Sequence, residues 1–203
     1  MRLFGTNGIR EVVGRELTVT FVARVAGAIA AQFPVGTPIA IGRDGRTSSF
    51  AFSRLVESVL ILGGHRVVDL GVLPTPAVQY LVPRVGAQLG VIVTASHNPP
   101  EFNGLKCIAA DGLEVPRAVE EGIERAVEAG TTRSVPYDEV GTSYEVRDGA
   151  HRYVDGVLAQ VDAERIRRRA FTVVLDCGNG ASVVTSPHLL RRLGCRVITL
   201  NGQ

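Results

Sequence analysis

The stretch Leu89 to Lys106, LGVIVTASHNPPEFNGLK, decides the fold. An apolar run carries the chain to Thr94. Ser96, His97 and Asn98 follow, with Pro99 and Pro100 directly behind them. A near-continuous apolar run suits a central strand of a parallel sheet covered on both faces. The polar cluster stands where that strand ends, and the two prolines and Gly104 restrict its backbone. An ordinary polar loop is the plain reading. A nucleophile fixed on a rigid strand end is the sharper one, with Lys106 returning a cation beside it.

The flanking sequence alternates strand and helix patterns. LTVTFVARVAGAIAAQF (Leu17 to Phe33) has helical apolar spacing, with Thr18 or Thr20 as N-cap. PIAIGRD is a short strand, and RTSSFAFSRLVESVLILGG a helix with Ser48 or Ser49 as N-cap and Gly63-Gly64 as stop. HRVVDLG is the next strand, LPTPAVQYLVPRVG a proline-started helix, and Ala118 to Ala129 a further helix. Strands separated by helix-length segments imply βαβ units and an α/β fold with a mostly parallel sheet.

Periodicity is lost in GTTRSVPYDEVGTSYEVRDGA, which places a domain boundary there. The expected division is a first domain over residues 1–134, a linker over 135–150 and a partial second domain over 151–203. HRYVDGVLAQVDAERIRRR reads as one linker helix, and FTVVLDCGNG restarts the pattern with a buried strand. LGCRVITLNG (Leu193 to Gly202) echoes LGGHRVVDLG (Leu62 to Gly71), and each follows a strand, a glycine-containing loop and a helix. Two strands alone would leave their edges and one face uncovered. The expectation is an incomplete second domain and a chain that is a fragment of a longer product.

Composition narrows the class. The chain has 203 residues, 45% of them hydrophobic, no tryptophan and a formal charge of +2. That balance gives no argument for nucleic acid, and RIRRR (Arg165 to Arg169) reads as a solvated helix end. Cys107, Cys177 and Cys195 form no CxxC pair, and their odd number points to a reducing compartment, the cytoplasm. No signal-peptide pattern or membrane-length apolar run appears.

Ligands gather at the carboxyl ends of strands in open α/β sheets. Gly42-Arg43-Asp44, Gly71 to Thr75 and Thr94 to Asn98 all lie at such ends, so they make one candidate site. Ser96 is the natural nucleophile, because its hydroxyl can carry an acyl or phosphoryl group. His97 is adjacent, but neighbours in an extended chain point to opposite sides, so it is not automatically the base. The G-x-S-x-G elbow of acyl-transfer hydrolases is absent, since TASHN lacks both glycines. Gly178-Asn179-Gly180 opens like a dinucleotide fingerprint, but Val183 stands where the third glycine belongs. There is no P-loop, and His65, His97, His151 and His188 lack zinc-ligand spacing. In FGTNGIR (Phe4 to Arg10), Gly5 and Gly8 allow close backbone approach and Arg10 can fork onto phosphate; a flexible arm is the plain alternative.

FGTNGIR, GRDGRTSS, LPTPAVQYLV, TASHNPPEFNGLK and VVLDCGNGAS, in this order, resemble the α-D-phosphohexomutase family, particularly its archaeal-type members. The resemblance implies a three-layer α/β/α first domain with a mostly parallel, mixed sheet, followed by the start of a second domain of related topology. It implies a mutase that interconverts hexose 1- and 6-phosphates through a phosphoserine and a hexose 1,6-bisphosphate, with gluco, manno and glucosamine forms left open. By the same match Ser96 looks like the phosphoryl carrier. Lys106, Arg10 and His97 look like catalytic partners, and Thr6, Gly8, Asn98, Asn103 and Arg43 like substrate or phosphate contacts. Magnesium is the implied cofactor, held by phosphate on Ser96 and by an aspartate-rich D-G-D-x-D-R loop that does not occur in these 203 residues. Glu11 departs from the glycine usual in the family. Hexose phosphates are the expected partners, with no nucleic acid or membrane. The alternative is a non-catalytic phosphosugar-binding module that keeps the fold, and little or no turnover is expected of this chain alone.

Overall fold

The computed structural model describes residues 3–5 and 8–202. Strand β1 (Ile9–Val12) precedes helix α1 (Val19–Gln32), whose first turn is closed by Thr18 Oγ1 accepting from Phe21 N. The apolar run β2 (Pro38–Arg43) leads into α2 (Thr47–Leu62). Arg46 stands at the N-cap of α2 and gives it no side-chain cap. The expected caps Ser48 and Ser49 lie inside the first turn, and their hydroxyls face Asn103 and Asp44 instead. Then come β3 (Arg66–Val72), α3 (Thr75–Arg84), β4 (Leu89–Val93), β5 (Phe102–Ala109) and α4 (Arg117–Glu128).

These elements make a six-stranded sheet in the order β1-β5-β4-β2-β3-β6, where β6 is Ser143–Glu145. The pairings β2–β3, β2–β4 and β3–β6 are parallel, and β5 runs antiparallel to both β4 and β1. The sheet is thus mostly parallel but mixed. Gly104, expected in a loop, lies inside β5, and FGTNGIR ends in β1 rather than remaining an arm.

Two cores flank the sheet. Ile39, Ile41, Val67, Leu89, Val91, Val93, Leu105 and Cys107 pack beneath α1, α2 and α4. Ala40, Val68, Leu70, Ile92 and Ile108 pack under α3 and the helix α5 (Gly149–Leu158). Successive strand residues point to opposite faces, so one apolar run feeds both layers. The stretch 135–150 runs along this sheet: Gly141 N bonds Ile61 O, Val146 N bonds Asp69 O, and β6 forms the edge.

The expected single linker helix is two, α5 and α6 (Ala163–Arg169), because Asp162 accepts from Arg165 N and starts a new helix. Beyond it, β7 (Thr172–Asp176), α7 (Ser186–Arg192) and β8 (Arg196–Leu200) form a separate unit around a two-stranded parallel sheet. β7 is not the buried strand expected from its sequence. Val174 is 63% exposed, since the small sheet packs only one layer of side chains. No helix among the described residues is long and apolar enough to cross a membrane.

Leu3 and Phe4 are held by one buried carboxylate. Glu124 of α4 accepts from Leu3 N at 2.7 Å and Phe4 N at 2.9 Å, and pairs with Arg117 at 2.6 Å. Burial pushes the Glu124 carboxyl up, but the Phe4 N–H, Arg117 and Leu3 N–H together outweigh it and hold it below its ordinary value. A lowered folded value gives stability that is present above the unfolded carboxyl value of about 4.3 and is lost as pH falls through the folded one. Urea midpoints from about pH 6 to about pH 3 should show Glu124→Gln less stable than the parent at the upper end, with the gap closing toward the lower. A gap independent of pH would contradict this role.

Candidate functional site

The carboxyl ends of β2, β3 and β4 meet at a cleft of about 560 Å³. Asp44, Arg46, Leu73 to Pro76, Ile92, Thr94, Ser96 and His97 line one side. Residues 178–182, following β7, line the other. A parallel sheet brings all such ends to one side, which is why segments distant in sequence converge here. The volume suits a small-molecule ligand.

Ser96 sits just past β4 with φ +56°, in the left-handed region. That conformation costs a non-glycine residue about 1–2 kcal/mol, so its surroundings must impose it. Ser96 N donates to Thr94 Oγ1 at 2.9 Å, and Thr94 Oγ1 donates to Asp44 Oδ2 at 2.8 Å. Asp44 also accepts from Ser49 Oγ at 2.5 Å and from the Arg46 backbone and side chain. The left-handed turn breaks the extended alternation expected for this pair: Ser96 Oγ lies 3.4 Å from His97 Nδ1, and both residues line the cleft.

The other expected residues divide between the two faces of the sheet. Arg10 Nη1 donates to Asn98 Oδ1 at 3.0 Å. Arg10 stands opposite Gly104, and Lys106 opposite Ile92, so both cations share the face of Ile92. Lys106 Nζ is engaged by Glu114 Oε1 at 2.5 Å. Gly8 packs over this strand at φ +91°, and a Cβ there would stand 2.6 Å from Leu105 O, so only glycine fits. Asn103 is fully buried on the opposite face, donating to Ser48 Oγ and Ser49 Oγ at 2.8 and 2.9 Å. Arg43 lies over the Phe50 ring, 3.9 Å from Asp69, and is not among the cleft's lining residues. Thr6 lies outside the described residues.

Three features escaped the sequence reading. Arg46, rather than Arg43, meets the Ser96 loop. Strand parity could have separated them, because Ile39, Ile41 and Arg43 share one face of β2. The Asp44–Thr94 link joins two segments whose pairing nothing local marks. The loop 178–182 also lines the cleft, and the echo between the two strand–loop–helix units was its available signal.

Among the described residues no three His, Cys, Asp or Glu side chains gather to hold a metal, and both oxygens of Asp44 already accept hydrogen bonds. The described side chains do not by themselves compose a magnesium site.

The models of phosphoglucomutase/phosphomannomutase α/β/α domains I and II match residues 1–134 and 151–203. A Pyrococcus horikoshii protein named "Probable phosphoglucosamine mutase" is 40% identical over 200 residues, 98% of this chain and 43% of its own length. A phosphoglucosamine/phosphogalactosamine mutase of Sulfurisphaera tokodaii is 36% identical over 202 residues, covering 99% and 44%. A crystal structure from Thermus thermophilus, provisionally named a phosphomannomutase, superposes with TM-score 0.85 at 28% identity, covering 97% and 45%. The chain spans less than half the length of these relatives.

The strain at Ser96 is measurable. Ser96→Gly should be more stable than Ser96→Ala by about 1 kcal/mol in urea unfolding, because glycine adopts the left-handed conformation without penalty. Equal stabilities would mean that the loop does not hold position 96 there.

Proposed function

The chain belongs to the α-D-phosphohexomutase family, and from that premise we propose that the protein interconverts hexose 1-phosphates and hexose 6-phosphates through phosphoserine at Ser96. The observation that carries this reading is Ser96 itself: a serine held in a left-handed turn at a strand end, at the edge of a cleft sized for a sugar phosphate.

In this reading a sugar hydroxyl oxygen bonds to the phosphorus carried on Ser96 as the bond from phosphorus to Ser96 Oγ breaks. The proton lost by the sugar hydroxyl is matched by one gained at the freed Oγ, so Ser96 ends as the free hydroxyl, and a donor near Oγ stabilises it on the way. His97 Nδ1, 3.4 Å from Ser96 Oγ, serves as that donor in the tautomer that carries its proton on Nδ1. Arg10, tied to Asn98, places a fixed positive charge beside the loop, where charge on the transferring group is stabilised. Lys106 lies on the same face and serves the sugar hydroxyl once it leaves Glu114. The bisphosphate so formed turns over in the cleft, and Ser96 Oγ takes the other phosphoryl group by the reverse step. Magnesium is the cofactor this reading implies, and the phosphate on Ser96 is the ligand that the described residues would offer it. Among hexoses, the glucosamine form is the first to assay, since relatives at 40% and 36% identity carry that name.

Incubation with glucose 1,6-bisphosphate and magnesium, followed by intact mass and peptide mapping, tests the assignment. One phosphoryl group is expected on Ser96, and none on Ser96→Ala. Bisphosphate that binds without modifying Ser96 would favour a binding module instead. Phosphate on another residue would move the nucleophile elsewhere.

A further inference from the structure

Arg46 stands at the lip of the cleft, yet its chemistry is spent inward. A guanidinium carries five N–H donors. Here Nε meets Asp44 Oδ2 at 3.2 Å, Nη1 meets Pro99 O at 2.8 Å and Phe102 O at 3.2 Å, and Nη2 meets Ser96 O at 3.1 Å and Asn98 O at 2.6 Å. Every donor has a protein acceptor, and Asp44 offsets the charge. An arginine that grips substrate phosphate needs free donors directed at the ligand. This one instead gathers four carbonyls of the Ser96 loop around a single plane.

We propose that Arg46 is a positioning residue that holds the Ser96–Phe102 loop, and with it the left-handed turn at Ser96, without binding substrate. Its catalytic consequence rests on the reading of Ser96 as phosphoryl carrier. The Asp44–Thr94 link fixes the loop from its amide side, through Ser96 N, while Arg46 fixes it from its carbonyl side. A lysine keeps the charge but cannot present a planar fork to four carbonyls and a carboxylate.

Three measurements test this. Hydrogen exchange of the amides of residues 95–103 should be at least about tenfold faster in Arg46→Lys than in the parent, since several charge-assisted bonds are lost. Phosphoryl uptake from glucose 1,6-bisphosphate with magnesium should fall by at least about tenfold in maximal rate, with the half-saturating concentration changed less than about twofold. Arg66→Lys, remote from the cleft, serves as control. In the parent, the Arg46 Nε–H resonance should be protected from solvent and unshifted by saturating bisphosphate, a measurement that stands even if Arg46→Lys does not fold. Unchanged loop exchange, a raised half-saturating concentration at full maximal rate, or a ligand-induced shift of the Nε–H resonance would each overturn the proposal. A parent that takes up no phosphoryl group would defeat the Ser96 reading alone, and loop exchange would still decide the role of Arg46.

Discussion

Around Ser96 one guanidinium gathers the backbone carbonyls of a strand-end loop. The segment from Ala95 to Phe102 contains two prolines and only two short backbone turns of its own, Asn98 N to Ala95 O and Phe102 N to Pro99 O. Four of its carbonyls converge on Arg46. That convergence closes the reversal from β4 to β5, and the reversal makes the sheet mixed. The antiparallel return of β5 in turn gives β1 an edge to pair with. The turn at the serine and the reversal that makes the sheet mixed therefore meet at one guanidinium.

Strand β5 divides labour by residue parity. Asn103, Leu105 and Cys107 face the helices α1, α2 and α4, where they pack or fasten α2. Burial pushes the Cys107 thiol up to about 12, so it is a packing group and not a reactive one. Gly104 and Lys106 face the other way, and a Cβ at Gly104 would overlap Ile9 O, so the close approach of β1 needs glycine there. A strand in the middle of a sheet can thus serve a core with one set of side chains and a charged site with the next.

Much of this was legible in the residues. Apolar runs rich in Val and Ile marked β2, β3 and β4, and Thr18 marked the start of α1. The strand-end rule named Gly42 to Asp44, Gly71 to Thr75 and Thr94 to Asn98, of which Asp44, Leu73 to Thr75, Thr94, Ser96 and His97 line the cleft. β5 was not legible, because Asn103, Gly104 and Lys106 interrupt its apolar pattern and its pairing is set by a partner rather than by local propensity. Ser48 and Ser49 resembled caps because capping statistics are local, whereas Asn103 and Asp44 recruit these hydroxyls from afar. The exposure of β7 could not be read from TVVLD, because an apolar run reports a tendency to be covered and not the presence of a cover.

The carboxylate of Glu124, bonded to Leu3 and Phe4 more than a hundred residues away in sequence, also sets an order of events in time. A chain leaves the ribosome from its first residue. Strand β1 has no strand to pair with until β5 has been made, and the Glu124 carboxylate that Leu3 N and Phe4 N meet is not there until α4 exists. The α1, β2, α2 and β3 units can assemble earlier from near neighbours, whose loop closure costs less. Leu3, Phe4 and β1 are therefore among the last parts of this layer to dock, and Arg10 reaches Asn98 only then. Synthesis order and assembly order run opposite ways in this layer, so Lys106 and Arg46 come with the scaffold and Arg10 joins them afterwards.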